Sequence, residues 1–258
     1  MDDDRHSRHA AQPAHGPKVD AAQETMFSER DLEVFLRLSL DQAHLPSPAV
    51  GAGGLAGTGF TEAAAREVAR VNRRRVITSN LAVALVGLRA LARDLARDIA
   101  LRRNLTRVPG RVDALASNLT LAADLARCLP SAHPNATMVA GLRNARDTFM
   151  YARQSAGRGP LFDSALIRAR DDSPLLKDNS AQVLRRELDA IRINVSGIDL
   201  PYGLDGCDVE LFVNFVWSRR TRWPTGLYSQ IQACSTREQP GGYQVVQSSR
   251  AHSDHGKA

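Results

Sequence analysis

Arginine is the residue type in this sequence whose spacing points most directly to chemistry. Four arginines follow the i, i+4, i+7, i+8 pattern that places side chains on one face of a helix: Arg66, Arg70, Arg73 and Arg74. Arg75 extends the same cluster. Because a guanidinium group binds phosphate oxygens through paired hydrogen bonds, such a stripe suits a polyanion. The same pattern is also typical of a solvated helix face.

A second basic cluster alternates cations with aromatic rings. It consists of Trp217, Arg219, Arg220, Arg222 and Trp223. Proteins that bind single strands combine cations for the phosphates with rings on which bases stack. Trp217 has the alternative of packing in the core. We therefore predict a nucleic-acid-binding set for RNA or DNA, made of Arg66, Arg70, Arg73, Arg74, Arg219, Arg220, Arg222 and Trp223.

The other reactive residue types do not form a familiar catalytic or metal-binding pattern. Within the part expected to fold, the histidines are His44, in a Gly/Pro-rich stretch, and His133, just before a proline. The cysteines are widely spaced and include no C-x-x-C pair: Cys128, Cys207 and Cys234. We expect no catalytic residues, no metal ligands and no cofactor, and an enzyme of unknown class is the third functional hypothesis.

Composition bounds the fold and the compartment. Only 5% of the residues are aromatic while 43% are hydrophobic, mainly Leu, Ala and Val, which favours packed helices. The net charge of +6 attracts polyanions. The apolar stretch 81–88 ends at Arg89 and Arg93, so no membrane span is expected. With no signal-like start, the prediction is a cytoplasmic or nuclear protein in a reducing compartment, not a secreted one.

The fold that must position these clusters is predicted to be mainly α, an antiparallel helical bundle over residues 61–192. Apolar residues recur in steps of three and four through three consecutive runs, separated by Val108-Pro109-Gly110 and by Pro130. Two shorter helices are expected around 161–170 and 181–192. The spacing predicts that six leucines are buried: Leu85, Leu88, Leu95, Leu115, Leu119 and Leu142.

The remaining segments differ in composition from the bundle. We predict a disordered tail over 1–27, an amphipathic helix over 28–42, a Gly/Pro linker over 43–60, a mixed or β-hairpin C-terminal segment over 193–235 and a second disordered tail over 236–258. Ser28, followed by Glu29 and Asp31, is the expected N-cap of the amphipathic helix.

Two functional hypotheses differ in the role that they give to the amphipathic helix. Its apolar face is made of Leu32, Phe35, Leu36 and Leu40, and it either docks on the chain's own core or is offered to a protein partner. The leading hypothesis is a non-catalytic structural or assembly protein that self-associates or joins a larger particle, and contacts nucleic acid in a nucleocapsid-like or packaging role. The alternative is a helical protein–protein adaptor that uses this helix.

Overall fold

The computed structural model describes residues 28–45, 62–101, 108–130, 133–156, 180–238 and 241–246. In these residues the helices are α1 (Glu29–His44), α2 (Glu62–Ala100), α3 (Val108–Arg127), α4 (Ala136–Ala156), α5 (Ser180–Ala190) and α6 (Thr225–Ala233). The strands are β1 (Ile193–Asn194), β2 (Phe215–Trp217), β3 (Ser235–Glu238) and β4 (Gly242–Val245). Two short 3-10 helices cover Tyr202–Leu204 and Val209–Phe212.

Four of the helices close into a ring. Helix α2 packs on α3, α3 on α4, α4 on α5, and α5 returns to α2. The antiparallel bundle predicted from the apolar spacing is therefore confirmed. The expected helix over 181–192 supplies the fourth side of the ring, because its buried face of Leu184 and Leu188 fits between α2 and α4. The helix expected over 161–170 lies outside the described residues.

The six leucines predicted to be buried are all in the core. Each is at most 2% exposed: Leu85, Leu88, Leu95, Leu115, Leu119 and Leu142. The same continuous apolar cluster also includes residues of the C-terminal sheet, such as Phe215 and Val245. The bundle and the sheet therefore share one core.

Helix α1 docks on its own chain, in contact with both α2 and α3. Its N-cap is Ser28, whose hydroxyl accepts a hydrogen bond from the backbone N–H of Asp31 at 3.2 Å. Leu32 and Leu36 are 0% exposed. Leu32 comes so close to α2 that a Cβ added to Gly87 would lie 3.0 Å from it.

The apolar face proposed for a protein partner is therefore occupied. Phe35 and Leu40 are half-buried and pack against the same core as Leu32 and Leu36. The adaptor hypothesis placed its binding residues on this face, and that placement is wrong because α2 and α3 already cover it. The helix also extends to His44, two residues into the predicted linker, whose remainder lies outside the described residues.

Helix α2 is apolar enough, by length and composition, to cross a membrane. The candidate stretch Ala63–Ala100 reaches a mean hydropathy of 1.4 over its most apolar window, contrary to the expectation from the short run 81–88. Most of that window, 72%, is buried inside the structure. The contacts with α1, α3 and α5 account for this apolar content, since a helix enclosed by its neighbours needs apolar side chains on several sides.

The C-terminal segment forms a four-stranded mixed sheet in the order β1-β2-β4-β3. Strand β1 is parallel to β2, and β4 is antiparallel to both β2 and β3. Within the segment predicted to be mixed or a β-hairpin, Val209–Phe212 forms a 3-10 helix before β2 begins at Phe215.

The predicted start of the C-terminal tail at residue 236 is wrong, because β3 and β4 form a hairpin within that stretch. The polar sequence of this stretch does not predict a strand. Pairing with β2, which is distant in sequence, satisfies the backbone groups of β4 and stacks Tyr243 on Trp217. The rest of that tail, and all of the N-terminal one, lie outside the described residues.

Arg89, which appeared to end an apolar run, joins the bundle to the sheet from inside the core. The side chain is 1% exposed. Its guanidinium group donates to the carbonyl oxygens of Leu188 at 2.9 and 3.1 Å and Ile191 at 2.9 Å, at the end of α5. It also donates to Leu211 at 2.7 Å and Val213 at 2.8 Å, beside the second 3-10 helix.

Burial lowers the pKa of Arg89 to about 10, and the nearby Asp189 carboxylate partly opposes that shift. An oxygen of this carboxylate lies 3.8 Å from Arg89 Nε. On another side, the guanidinium carbon lies 5.5 Å from the centre of the Phe215 ring. The charge is thus surrounded by carbonyl dipoles, a carboxylate and an aromatic face, which together compensate for its lost hydration.

We predict that Arg89→Met lowers the free energy of unfolding by about 3–5 kcal/mol, because the buried carbonyl oxygens lose their donors. The matched control is Arg93→Met on the same helix, where the half-exposed ion pairs with Asp208 and Glu210 contribute at most about 1 kcal/mol. Urea denaturation followed by circular dichroism measures both. Equal losses in the two variants would contradict the structural role given to Arg89.

We expect Leu119→Ala to lower the free energy of unfolding by roughly 2–5 kcal/mol, since it leaves a cavity where α3 meets its neighbours. Leu38→Ala on α1 is the control, because Leu38 is 58% exposed and leaves no cavity. Thermal and chemical melts compare the two. A Leu119 variant as stable as its Leu38 counterpart would rule out the bundle core.

Candidate functional site

An open cleft of about 630 Å³ lies between α2 and the two loops that follow β1 and β2. Its polar and basic lining is Asn72, Arg75, Ser79, Asn80, Arg220 and Arg222. Val76 and Ile198 add apolar surface. The cleft thus brings an arginine of the first sequence cluster together with two arginines of the second.

Thr221 holds the two loops of the cleft together. The side chain is 5% exposed, and its hydroxyl donates to the carbonyl oxygen of Val195 at 2.8 Å. The hydroxyl oxygen of Thr221 in turn accepts hydrogen bonds from the backbone N–H groups of Ser218 at 3.2 Å and Gly197 at 3.3 Å. Gly197 has a φ of +72°, which a residue with a side chain rarely adopts. The hydrogen bonds of the buried Thr221 side chain therefore fix the conformation of both loops.

Backbone and side-chain hydrogen bonds also fix the loops to each other and to α2. The N–H of Arg222 donates to the carbonyl of Ile198 at 3.0 Å, and the N–H of Leu200 donates to the carbonyl of Arg222 at 2.9 Å. Ser79 on α2 donates its hydroxyl proton to the carbonyl of Asp199 at 3.0 Å. These bonds give the basic side chains a rigid base while leaving their ends exposed to solvent.

The cleft is electropositive. Three guanidinium groups against one carboxylate, that of Asp199, leave a net charge of +2. Asp199 lies 3.6 Å from Arg222, but both side chains are largely exposed, so water and salt weaken this pair. Within the described parts of the chain, Arg75 and Arg220 have no ion pair. An anion entering the cleft therefore meets two guanidinium groups, those of Arg75 and Arg220, that are not paired with a carboxylate of the described residues.

The arginine stripe predicted on α2 does not line the cleft. Helix α2 has 39 residues, and its burial begins only at Ile77, so its N-terminal part projects beyond the core. Arg66 and Arg70 are exposed on this projection, where Arg70 forms an ion pair with Glu67. Arg75, left out of the predicted set, faces the cleft because it lies about 200° around the helix from Arg73.

The other two arginines of the stripe lie near the connection between α3 and α4. Burial raises the pKa of the Cys128 thiol, and the charge of Arg73 partly opposes this. Burial also lowers the pKa of His133, and the charge of Arg74 lowers it further. Arg74 is half-buried, and its Nε has no hydrogen-bond acceptor among the described residues. Arg73 and Arg74 are thus separated from the cleft arginines.

Trp223 cannot stack on a base in this conformation, and its place in the predicted set is wrong. It is 9% exposed and packs edge-on against Phe212, with ring centres 5.6 Å apart, and against Trp217 at 6.1 Å. The indole completes an aromatic cluster behind the cleft loops. Trp217, as the alternative interpretation held, is a core residue with 2% exposure.

The arginines of the second cluster point in two directions. Arg220 and Arg222 line the cleft, while Arg219 turns to the sheet, where a hydrogen bond with Tyr243 raises its pKa. The residues that the structure describes contain no group of three His, Cys, Asp or Glu side chains arranged to hold a metal ion. The chemistry that the cleft itself offers is the binding of an anion through guanidinium and amide groups.

We predict that the protein loses stability through His133 as the pH falls below the ordinary histidine pKa of about 6.5. Its folded pKa is lowered, so the unfolded chain takes up the proton first and acidification favours unfolding. Protonation would also break the hydrogen bond that the N–H of Asn135 donates to Nδ1 at 3.2 Å.

The measurement is the melting temperature against pH. His133→Gln should flatten the acid side of this profile, whereas His44→Gln, which removes an exposed histidine at the end of α1, should retain it. A His133 variant with the parent's profile would disprove this assignment.

Comparisons with known proteins give no family for this chain: no protein-family model matches it, and no curated protein or solved structure is significantly similar.

Proposed function

We propose that this chain is a non-catalytic structural or assembly protein that binds the phosphate backbone of a nucleic acid in the cleft between α2 and the C-terminal loops. The observation that carries the proposal is the meeting of Arg75 with Arg220 and Arg222. These residues are distant in sequence and converge on one open, positively charged space. A guanidinium group in such a position contacts phosphates of any sequence.

The shape and lining of the cleft support a backbone ligand rather than a small buried anion. The cleft is open and its arginines are exposed, so a chain can pass through it without being enclosed. The side-chain amides of Asn72 and Asn80 add hydrogen-bond donors suited to phosphate and sugar oxygens. The positive charge of the whole protein, +6, favours approach of the same ligand.

The projecting part of α2 supports the assembly half of the proposal. Val68 and Val71 on this part of the helix are 52% and 37% exposed. Exposed valines on a helix that extends beyond its own core provide apolar surface for self-association or for a larger protein assembly. The adaptor hypothesis receives no comparable support, because the face of α1 on which it depended is buried.

We expect nucleic-acid affinity to fall linearly in log units with log salt concentration, and Arg220→Ala combined with Arg222→Ala to flatten that slope. The expected change is about 0.7–0.9 per lost phosphate contact, because each contact releases a condensed counterion. Arg75→Ala should add a similar change. Fluorescence anisotropy with labelled oligonucleotides of unrelated sequence measures the slopes. Each substitution should change the slope by the same amount for every oligonucleotide sequence.

Two further variants test the location of the site. Arg143→Ala removes an exposed arginine from α4 and should leave the slope unchanged. Asp199→Asn removes the one carboxylate of the cleft and should raise affinity. Absence of binding at low salt by well-folded protein would reject the proposed function, and equal effects of Arg143→Ala and Arg220→Ala would reject the cleft.

A further inference from the structure

The sheet carries a partly exposed aromatic face beside the cleft. Tyr243 of β4 stacks on Trp217 with ring centres 4.7 Å apart and an angle of 26°. Tyr228 of α6 meets the same indole edge-on at 6.2 Å. Tyr228 is 44% exposed and Tyr243 is half-buried, whereas Trp217 is 2% exposed. The two tyrosines thus present ring surface to solvent from a buried support.

This support is rigid. The indole N–H of Trp217 donates to the hydroxyl of Ser235 at 2.9 Å, and that hydroxyl donates to the carbonyl of Ile231 at 2.6 Å. Trp217 therefore cannot rotate without breaking a hydrogen bond to β3. Rings held in this way lose little conformational freedom when a ligand stacks on them, which favours binding.

One loop joins this aromatic face to the cleft. Ser218–Arg222 carries Arg219 toward Tyr243 and carries Arg220 and Arg222 into the cleft. Even a fully extended chain spans at most about 10 Å from residue 219 to residue 222. A nucleic acid whose phosphates lie in the cleft therefore passes within reach of the tyrosine rings.

We propose that Tyr228, with Tyr243 and Arg219 beside it, stacks on unpaired bases, so that the ligand of the cleft is single-stranded nucleic acid. This inference rests on the proposed function. In a duplex both faces of each base are covered by its neighbours, whereas a single strand can present a base to a ring. Charge complementarity favours a nucleic acid as this ligand, because Arg219 interacts with Tyr243 and the following Arg220 and Arg222 line the cleft.

The test compares Tyr228→Ala with Tyr228→Phe, using a fluorescein-labelled oligothymidylate and a labelled duplex of equal length. For the single strand, Tyr228→Ala should weaken binding by roughly 5- to 100-fold, while Tyr228→Phe should retain it because the ring remains. The duplex affinity and the salt slope should be unchanged in both variants. Equal losses for single strand and duplex, or no loss for either, would overturn the stacking role.

A second measurement needs no variant. Irradiation of the parent protein with a bromouracil-containing single strand should cross-link the oligonucleotide to the peptides that contain Tyr228 or Tyr243, as mass spectrometry would show. Cross-links confined to other peptides would reject the aromatic face. The two proposals fail differently: a parent protein that binds neither probe at low salt rejects the proposed function, whereas salt-dependent binding without strand preference rejects the stacking alone.

Discussion

The buried guanidinium group of Arg89 is the interaction on which the relation between bundle and sheet depends. It is an unfavourable group to bury, and the chain compensates with carbonyl oxygens from the end of α5 and from the turn before β2. Because the guanidinium group is planar, its N–H donors point in fixed directions, and each carbonyl acceptor must lie along one of them. A displacement of the sheet along α2 would leave a charge and several carbonyls without partners, which costs far more than a shifted apolar contact.

The geometry of the candidate site depends on this alignment of the bundle with the sheet. One wall of the cleft is α2 and the other consists of loops that follow β1 and β2, so the separation of its arginines is set where bundle meets sheet. Ser79 and Thr221 then fix the loops locally through hydrogen bonds of 2.8–3.3 Å. The cleft is therefore organised before a ligand arrives, and binding need not order the loops that carry Arg220 and Arg222.

The short helices bury their apolar faces against the core, whereas the long helix α2 buries most of its apolar surface and leaves some exposed near its N-terminus. Helix α1 covers α2 and α3, and α5 closes the ring between α2 and α4. Before Ile77, α2 has no buried side chain among the residues described, and it carries exposed valines and arginines. Along α2, an exposed basic part is followed by the part that forms the cleft wall. The enclosed segment that contains Arg89 comes last.

The sequence by itself determined helices α1 to α5, their buried leucines and the cap at Ser28, because these depend on a local period of 3.6 residues and on neighbouring side chains. It did not predict α6, which lies in the segment expected to be mixed or a β-hairpin. It did not reveal that Arg89 is buried or that Trp223 is covered. The acceptors of Arg89 lie 99 to 124 residues away along the chain. A helical pattern shows which residues share a face, but not which element lies opposite that face. Only the tertiary structure therefore decided that Arg75, rather than Arg73, meets the arginines of the distant loop.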